Sequence, residues 1–157
     1  MERNLMLRQH LDAVFYGEAW HGAALLPTIR TFGPAEAVQE NNEGYSPWQI
    51  VLHCAYWKFF VRRAISSDGA SLSFPRQPDD FPDLPAERTQ AAWQADIDFL
   101  ATEHKLLVGA VQRLPDDRLA EIHPQERLTY AGLILGAASH DVYHTAHLRN
   151  LGVRTFK

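Results

Sequence analysis

Ser139-His140-Asp141-Val142-Tyr143-His144-Thr145-Ala146-His147-Leu148 brings three histidines together near the C-terminal end of this 157-residue chain. His140 and His144 are four residues apart, about one helical turn, so on a helix both imidazoles leave the same face. A helix offers two neutral nitrogen ligands to one metal ion in this way. His147 lies one turn further on, about 20° from His140 around the helix axis. Upstream, the seam Tyr130, Leu133, Ala137, His140, His144, His147, Leu151 runs at spacings of 3, 4, 3, 4, 3 and 4. That is the pattern of a helix packed in a bundle, so the three histidines are predicted to point inward. A buried imidazole needs a hydrogen-bond partner or a metal, and a row of three predicts a metal site.

The rest of the chain reads as more helices of the same kind. A first helix is predicted from about Asn4 to Ala19, with Leu7, Leu11 and Val14 or Phe15 on its apolar side. Gly22 and Pro27 interrupt the pattern, so Trp20 to Phe32 reads as a kinked continuation or a second short helix. Residues 33–45 are expected to be a polar connection with no packed element. Ser46-Pro47 is a helix start, a side-chain cap followed by proline where no amide bond is lost. The helix that follows, to about Ser66, carries Ile50, His53, Trp57, Phe60 and Ala64 as one uncharged stripe. Lys58, Arg62 and Arg63 fall on the opposite side. Residues 67–86 include Pro75, Pro78, Pro82 and Pro85 and form a long irregular crossover, either a wall over a pocket or a plain connection. A third helix from Glu87 to Leu114 has the seam Trp93, Ile97, Leu100, His104, Leu107, Val111, Leu114, and Pro115 ends it. The last helix spans Tyr130 to Leu151, with Thr129 as its cap. Strand periodicity is absent. One all-α domain over residues 1–157 is expected, a four-helix bundle with a long crossover between its second and third helices.

Composition narrows the functional classes. The formal charge is −4 and no run of Lys or Arg stands out, which argues against nucleic acid as a partner. No apolar segment is long enough to span a bilayer, and charges interrupt the first ten residues where a signal peptide would be apolar. A single cysteine, Cys54, excludes an internal disulfide, and a cytoplasmic location is expected.

Three imidazoles, His53 with His140 and His144, form the strongest constellation if the second and fourth helices run antiparallel. On spacing alone His53 is equally a ligand or an ordinary core histidine. An all-nitrogen set suits Zn, Ni, Fe, Co or Mn and leaves coordination positions open for water or substrate. His147 reads as a hydrogen-bonding or proton-shuttling neighbour of the site, or as a histidine favoured by a helix end, ahead of a third reading as a direct ligand. His104 reads as an interior or boundary histidine, and His10, His21 and His123 as surface or loop residues. Asp141 either orients a neighbouring ring or is solvated, the latter being commoner. Trp57 walls the pocket or packs in the core. Cys54 points about 100° away from the His53 stripe and reads as a buried, inert thiol.

Two blocks give the chain a resemblance. Ser-Pro-Trp-Gln-Ile-Val-Leu-His-Cys-Ala-Tyr-Trp (46–57) resembles the second helix of the DinB-like superfamily of four-helix metal-binding proteins. His-Asp-Val-Tyr-His-Thr-Ala-His-Leu (140–148) resembles the His-x-x-x-His of that family's last helix, usually followed by a Gly-Gln pair. Trp20-His21-Gly22 is similar to a weaker family feature. The resemblance implies metal ligation by His53, His140 and His144, an up-down-down-up bundle and frequent dimers. It also implies chemistry in some members that uses a low-molecular-weight thiol such as mycothiol, bacillithiol or glutathione. Ala146-His147 replaces the Gly-Gln pair, so the role of that glutamine does not carry over.

The leading expectation is an enzyme, a hydrolase or a low-molecular-weight-thiol S-transferase, whose divalent ion activates water or a thiol against a small electrophilic substrate. His147 is its candidate catalytic residue. The rival is a non-catalytic metal-containing binding or stress-response protein. An open coordination position beside a substrate-sized pocket favours the first.

Overall fold

The computed structural model describes residues 3–40 and 44–153, without the side chains of residues 151–153. The expected seam position Leu151 therefore lies outside the described side chains, as do residues 41–43 of the predicted connection. The fold is all-α: α1 (Arg3–Tyr16), α2 (Leu25–Ile29), α3 (Pro34–Ala37), α4 (Pro47–Ile65), α5 (Gln90–Arg113) and α6 (Tyr130–Val153). Short 3₁₀ turns at Gly69–Ser71 and Arg118–Ala120 interrupt the connections, and no β-strand forms among the described residues, only two isolated bridges. No described helix is long and apolar enough to cross a membrane.

Local chemistry sets the helix boundaries. Ser46 Oγ accepts from the Gln49 amide at 3.3 Å while Gln49 Oε1 accepts from the Ser46 amide at 2.9 Å. This reciprocal cap, with Pro47 at the first helical position, stabilises the start of α4 by about 1 kcal/mol. Thr89 and Thr129 cap α5 and α6 through their hydroxyls alone, accepting from the amides of Ala92 and Gly132. At Gly17 the backbone takes a φ of 138°, which ends α1 three residues before the predicted boundary. Gly69 is required for closeness: a Cβ there would meet the Arg63 carbonyl oxygen at 1.9 Å.

In the first third of the chain, residues 20–32 hold a short helix, α2, the second of the two alternatives offered by the sequence. The connection expected to lack structure contains α3, whose Ala37 is fully buried against the core. The capping of α3 by Glu36, whose carboxylate accepts from the Gly33 amide at 3.0 Å, explains why so short a polar segment turns helical.

The packing is built on four long helices. α4 lies against α5 and α6, and α1 lies against the same two. The predicted seam of α5, Trp93 through Leu114, is buried at every position. The core divides into two apolar clusters. One gathers α2, α3 and the first halves of α4 and α5, with Phe15 and Leu148; the other gathers α1, the second halves of α4 and α5 and the first half of α6. Charged and polar side chains lie between them. Arg62 pairs with Glu103 at 3.0 Å, His104 Nε2 is bonded to Asp12 Oδ1 at 2.9 Å, and Lys58 pairs with Asp141.

The last pair corrects two sequence expectations. Lys58, assigned to the solvent side of its helix, is 1% exposed, and so is Asp141. The Lys58 ammonium donates to Asp141 Oδ2 and sits 4.8 Å from the centre of the Phe15 ring. Helical periodicity placed Lys58 away from the apolar stripe, but α4 has neighbours on several sides, and its partner charge comes from a helix 83 residues away. Removing one member of such a pair costs about 3–5 kcal/mol, because the other is left buried and alone.

The crossover between α4 and α5 is tied down at several points. Phe74 packs on Tyr56, Phe59 and Phe99, and Arg76 donates to the buried carboxylate of Asp96, which also accepts from Trp48 Nε1 at 2.8 Å. These anchors hold the next residues of the crossover over the histidines.

Candidate metal centre

His53 leaves the second turn of α4, and His140 and His144 leave adjacent turns of α6. His140 Nε2 lies 3.0 Å from His53 Nε2 and 3.1 Å from His144 Nε2, and one ligand atom from each residue lies within 4.8 Å of the others. In tetrahedral zinc sites, nitrogens of one coordination sphere are separated by about 3.3 Å. The two short separations fall just inside that edge, so small ring rotations suffice to receive an ion.

The protonation pattern fits the same role. His53 Nδ1 lies 2.8 Å from the Asp80 carbonyl oxygen, which can only accept, so the proton is on Nδ1 and the Nε2 lone pair faces the other two rings. Asp80 Oδ1 lies 3.0 Å from the same nitrogen and also accepts from Trp57 Nε1 at 2.7 Å. Burial, with the charges of His53 and Lys58, pushes His140 down to about 3. Burial and the neighbouring imidazoles push His144 down to about 3 as well. His53 is also lowered, by burial working against its bonds to Asp80. All three rings are neutral at pH 7, the state in which imidazole binds metals. His144 Nδ1 is buried without a hydrogen-bond partner, so no neighbouring group fixes the tautomer of this ring.

A pocket of about 410 Å³ opens on these nitrogens. Its walls are aromatic: Trp57, Phe81, Tyr45 and Tyr143. Phe81 stacks on the His53 ring at 4.0 Å and on Tyr45 at 4.4 Å. Asp80 and Phe81 belong to the crossover, which is therefore the wall over a pocket that one sequence reading offered. Asp80 holds its position with a φ of 70°, a left-handed conformation rare outside Gly, Asn and Asp.

The other candidates divide clearly. His147 lines the pocket with its ring centre 6.0 Å from that of His144, but it does not belong to the converging group. Trp57 is half-buried and lines the pocket while bonded to Asp80. His104 is fully buried, bonded to Asp12 and stacked on Phe15 at 3.9 Å. His10 and His21 are exposed, and His123 is half-buried with Nε2 3.1 Å from the Ala64 carbonyl. Asp141 neither orients a ligand ring nor meets solvent; it belongs to Lys58. Cys54 is fully buried and outside the pocket lining, and burial pushes its thiol well above the usual range. The sequence reading missed Asp80 and Phe81. Their signal is a Pro-Asp-Asp-Phe-Pro run in a long crossover, which suggests a shaped loop but names no partner.

The model of the DinB superfamily matches residues 19–148, a span that includes all three converging histidines and the crossover. No curated protein and no solved structure gave a significant match. With the family match covering most of the chain, this protein belongs to the DinB superfamily.

Proposed function

We propose that the protein is a metal-dependent enzyme in which His53, His140 and His144 hold one divalent transition metal, Zn, Ni, Fe, Co or Mn. The observation that carries this reading is the convergence of three neutral Nε2 atoms at the floor of a pocket large enough for a small substrate. When bound, a divalent ion supplies Lewis acidity, which lowers the pKa of a water or thiol and makes it a nucleophile at neutral pH.

The chain's own residues do the rest. Asp80 fixes the tautomer of His53 through its carbonyl, and Phe81 and Trp57 hold the ring plane by contact. The aromatic walls exclude water from one side of the site and offer flat apolar surface to a small electrophile. His147, at the pocket edge beyond His144, is the candidate general acid–base, placed to give or take a proton from a bound molecule. Hydrolysis and transfer of a low-molecular-weight thiol both suit this equipment.

The same reading includes the architecture. Trp48 reaches Asp96 and Arg62 reaches Glu103, which supports α4 and α5 running parallel. His53 meets His144 while Ala64 meets His123 ahead of α6, and Asn4 meets Leu114 while Asp12 meets His104. These pairs support antiparallel α4 with α6 and α1 with α5, hence an up-down-down-up four-helix bundle forming a single domain. A cytoplasmic homodimer completes the proposal.

Metal analysis of untagged protein, followed by a screen of ester, amide and alkyl-halide electrophiles with and without added thiols, tests it. One equivalent of a divalent metal and turnover of one substrate class is expected. Metal without turnover across the screen favours a non-catalytic binding protein, and protein that takes up no divalent metal overturns the proposal.

A further inference from the structure

We propose that the buried pair Lys58–Asp141 is a register lock that positions the two halves of the metal centre, an inference that rests on the metal reading above. The three histidines come from two separate helices, so their convergence depends on how α4 and α6 are set along each other. Lys58 stands five residues after His53 on α4, and Asp141 stands directly after His140 and three residues before His144 on α6. The two side chains meet where both are 1% exposed, which leaves no solvent to accept either charge if the helices slide. A shift along the axis by one residue, about 1.5 Å, would part them and would also part the Nε2 atoms, which stand 3.0 and 3.1 Å apart.

Close packing of apolar groups fixes the spacing of the helices, while its transfer energy changes little when one buried aliphatic group takes another's place along the axis. A buried charge pair discriminates sharply, and fixing register is the best-attested use of buried polar groups. The surroundings of the pair agree. It lies between the two apolar clusters of the core, where Phe15 of α1 faces the ammonium at 4.8 Å, and the Asp141 carbonyl accepts from Thr145 Oγ1 at 2.7 Å. Arg62–Glu103 is a comparable pair, but it joins α4 to α5, which carries no histidine of the centre.

This comparison supplies the test. Lys58→Met/Asp141→Leu replaces the locking pair by apolar groups of similar size, and Arg62→Met/Glu103→Leu does the same to the control pair. Cobalt(II) titration followed by visible absorption reads affinity and coordination, with circular dichroism and thermal unfolding of the metal-free proteins as the measure of fold. The locking double variant is expected to stay helical, to bind cobalt about tenfold or more weakly than wild type and to show an altered visible band. The control variant is expected to bind like wild type. Asp141→Glu, which keeps the charges paired while lengthening one arm, is expected to weaken cobalt binding several-fold, and it decides the matter if the double variant does not fold.

Cobalt affinity and spectrum unchanged in the folded locking variant, or in Asp141→Glu when the double variant does not fold, overturn the lock. Equal losses in the locking and control variants also overturn it, since they would make the pair a general source of stability. A purely electrostatic role is distinguishable through single variants: Lys58→Met would then tighten cobalt binding and Asp141→Asn weaken it. That opposite pair of signs overturns the lock, which requires both to weaken it. Wild-type protein that binds no cobalt removes the metal reading itself, and this inference with it.

Discussion

Asp80 meets His53 twice at one nitrogen: its carbonyl oxygen lies 2.8 Å from Nδ1 and its carboxylate oxygen 3.0 Å from the same atom. The residue achieves this from a left-handed backbone conformation in the crossover, so the shape of the loop and the orientation of the ring are one feature. The carboxylate also holds Trp57, which couples the ligand ring to the pocket wall.

Graded substitutions at Asp80 separate these contributions. Asp80→Asn tolerates the left-handed turn and keeps the carbonyl, so zinc affinity is expected to fall by no more than about tenfold. Asp80→Val removes the carboxylate and strains the left-handed turn that presents the carbonyl, and a loss nearer 100-fold is expected. Isothermal titration with zinc measures both, and equal affinities in the two variants would contradict the role given to the backbone.

His144→Ala is expected to abolish stoichiometric metal binding and leave a helical protein, with apo stability changed by about 1–2 kcal/mol. Elemental analysis and circular dichroism of the purified variant check this. Full metal content would remove His144 from the ligand set.

His147→Ala is expected to keep the metal, because its ring stands apart from the converging nitrogens, while His147→Gln behaves nearly like wild type. Once a substrate is found, the Ala variant should lose about 10²-fold or more in rate, the scale of a lost general acid–base group. Loss of metal in the Ala variant would instead make His147 a ligand.

His104 predicts a pH dependence. Burial first, and the Lys58 charge second, push this ring down to about 2. Its Nδ1 is buried without a hydrogen-bond partner, so a second N–H would have nowhere to donate. In the unfolded chain the ring titrates near its ordinary value of about 6.5. Below that pH the unfolded state takes up a proton that the folded state refuses, so stability falls as pH falls from 6.5 toward about 2. The slope from this one group is about 1.4 kcal/mol per pH unit once the unfolded ring is fully charged. Urea unfolding of metal-free protein at pH 7 and pH 5 is expected to give a smaller stability loss for His104→Leu than for wild type. Identical losses would mean that His104 protonates in place.

Much of the fold was legible because helices advertise themselves locally. The α5 seam follows from spacing alone, Ser46-Pro47 and Thr129 mark helix starts by side-chain chemistry, and His140 with His144 share a face whatever surrounds them. The errors have separate causes. Lys58 and Asp141 were assigned to solvent or to a ligand ring because a helical wheel has one inside, whereas these helices have neighbours on several sides. α3 was missed because a four-residue helix is too short to show a period.

The sequence by itself determined the all-α class, the starts of α4 and α6 and the i, i+4 histidine pair, since each depends on residues within a few positions of one another. Only the tertiary structure decided that His53 stands 3.0 Å from His140, that Asp80 orients it, and that Lys58 finds Asp141 across 83 positions. Those contacts join distant segments, and their geometry comes from the packing of whole helices and a pinned crossover. No local pattern encodes a distance between two helices; the filling of the core between them does.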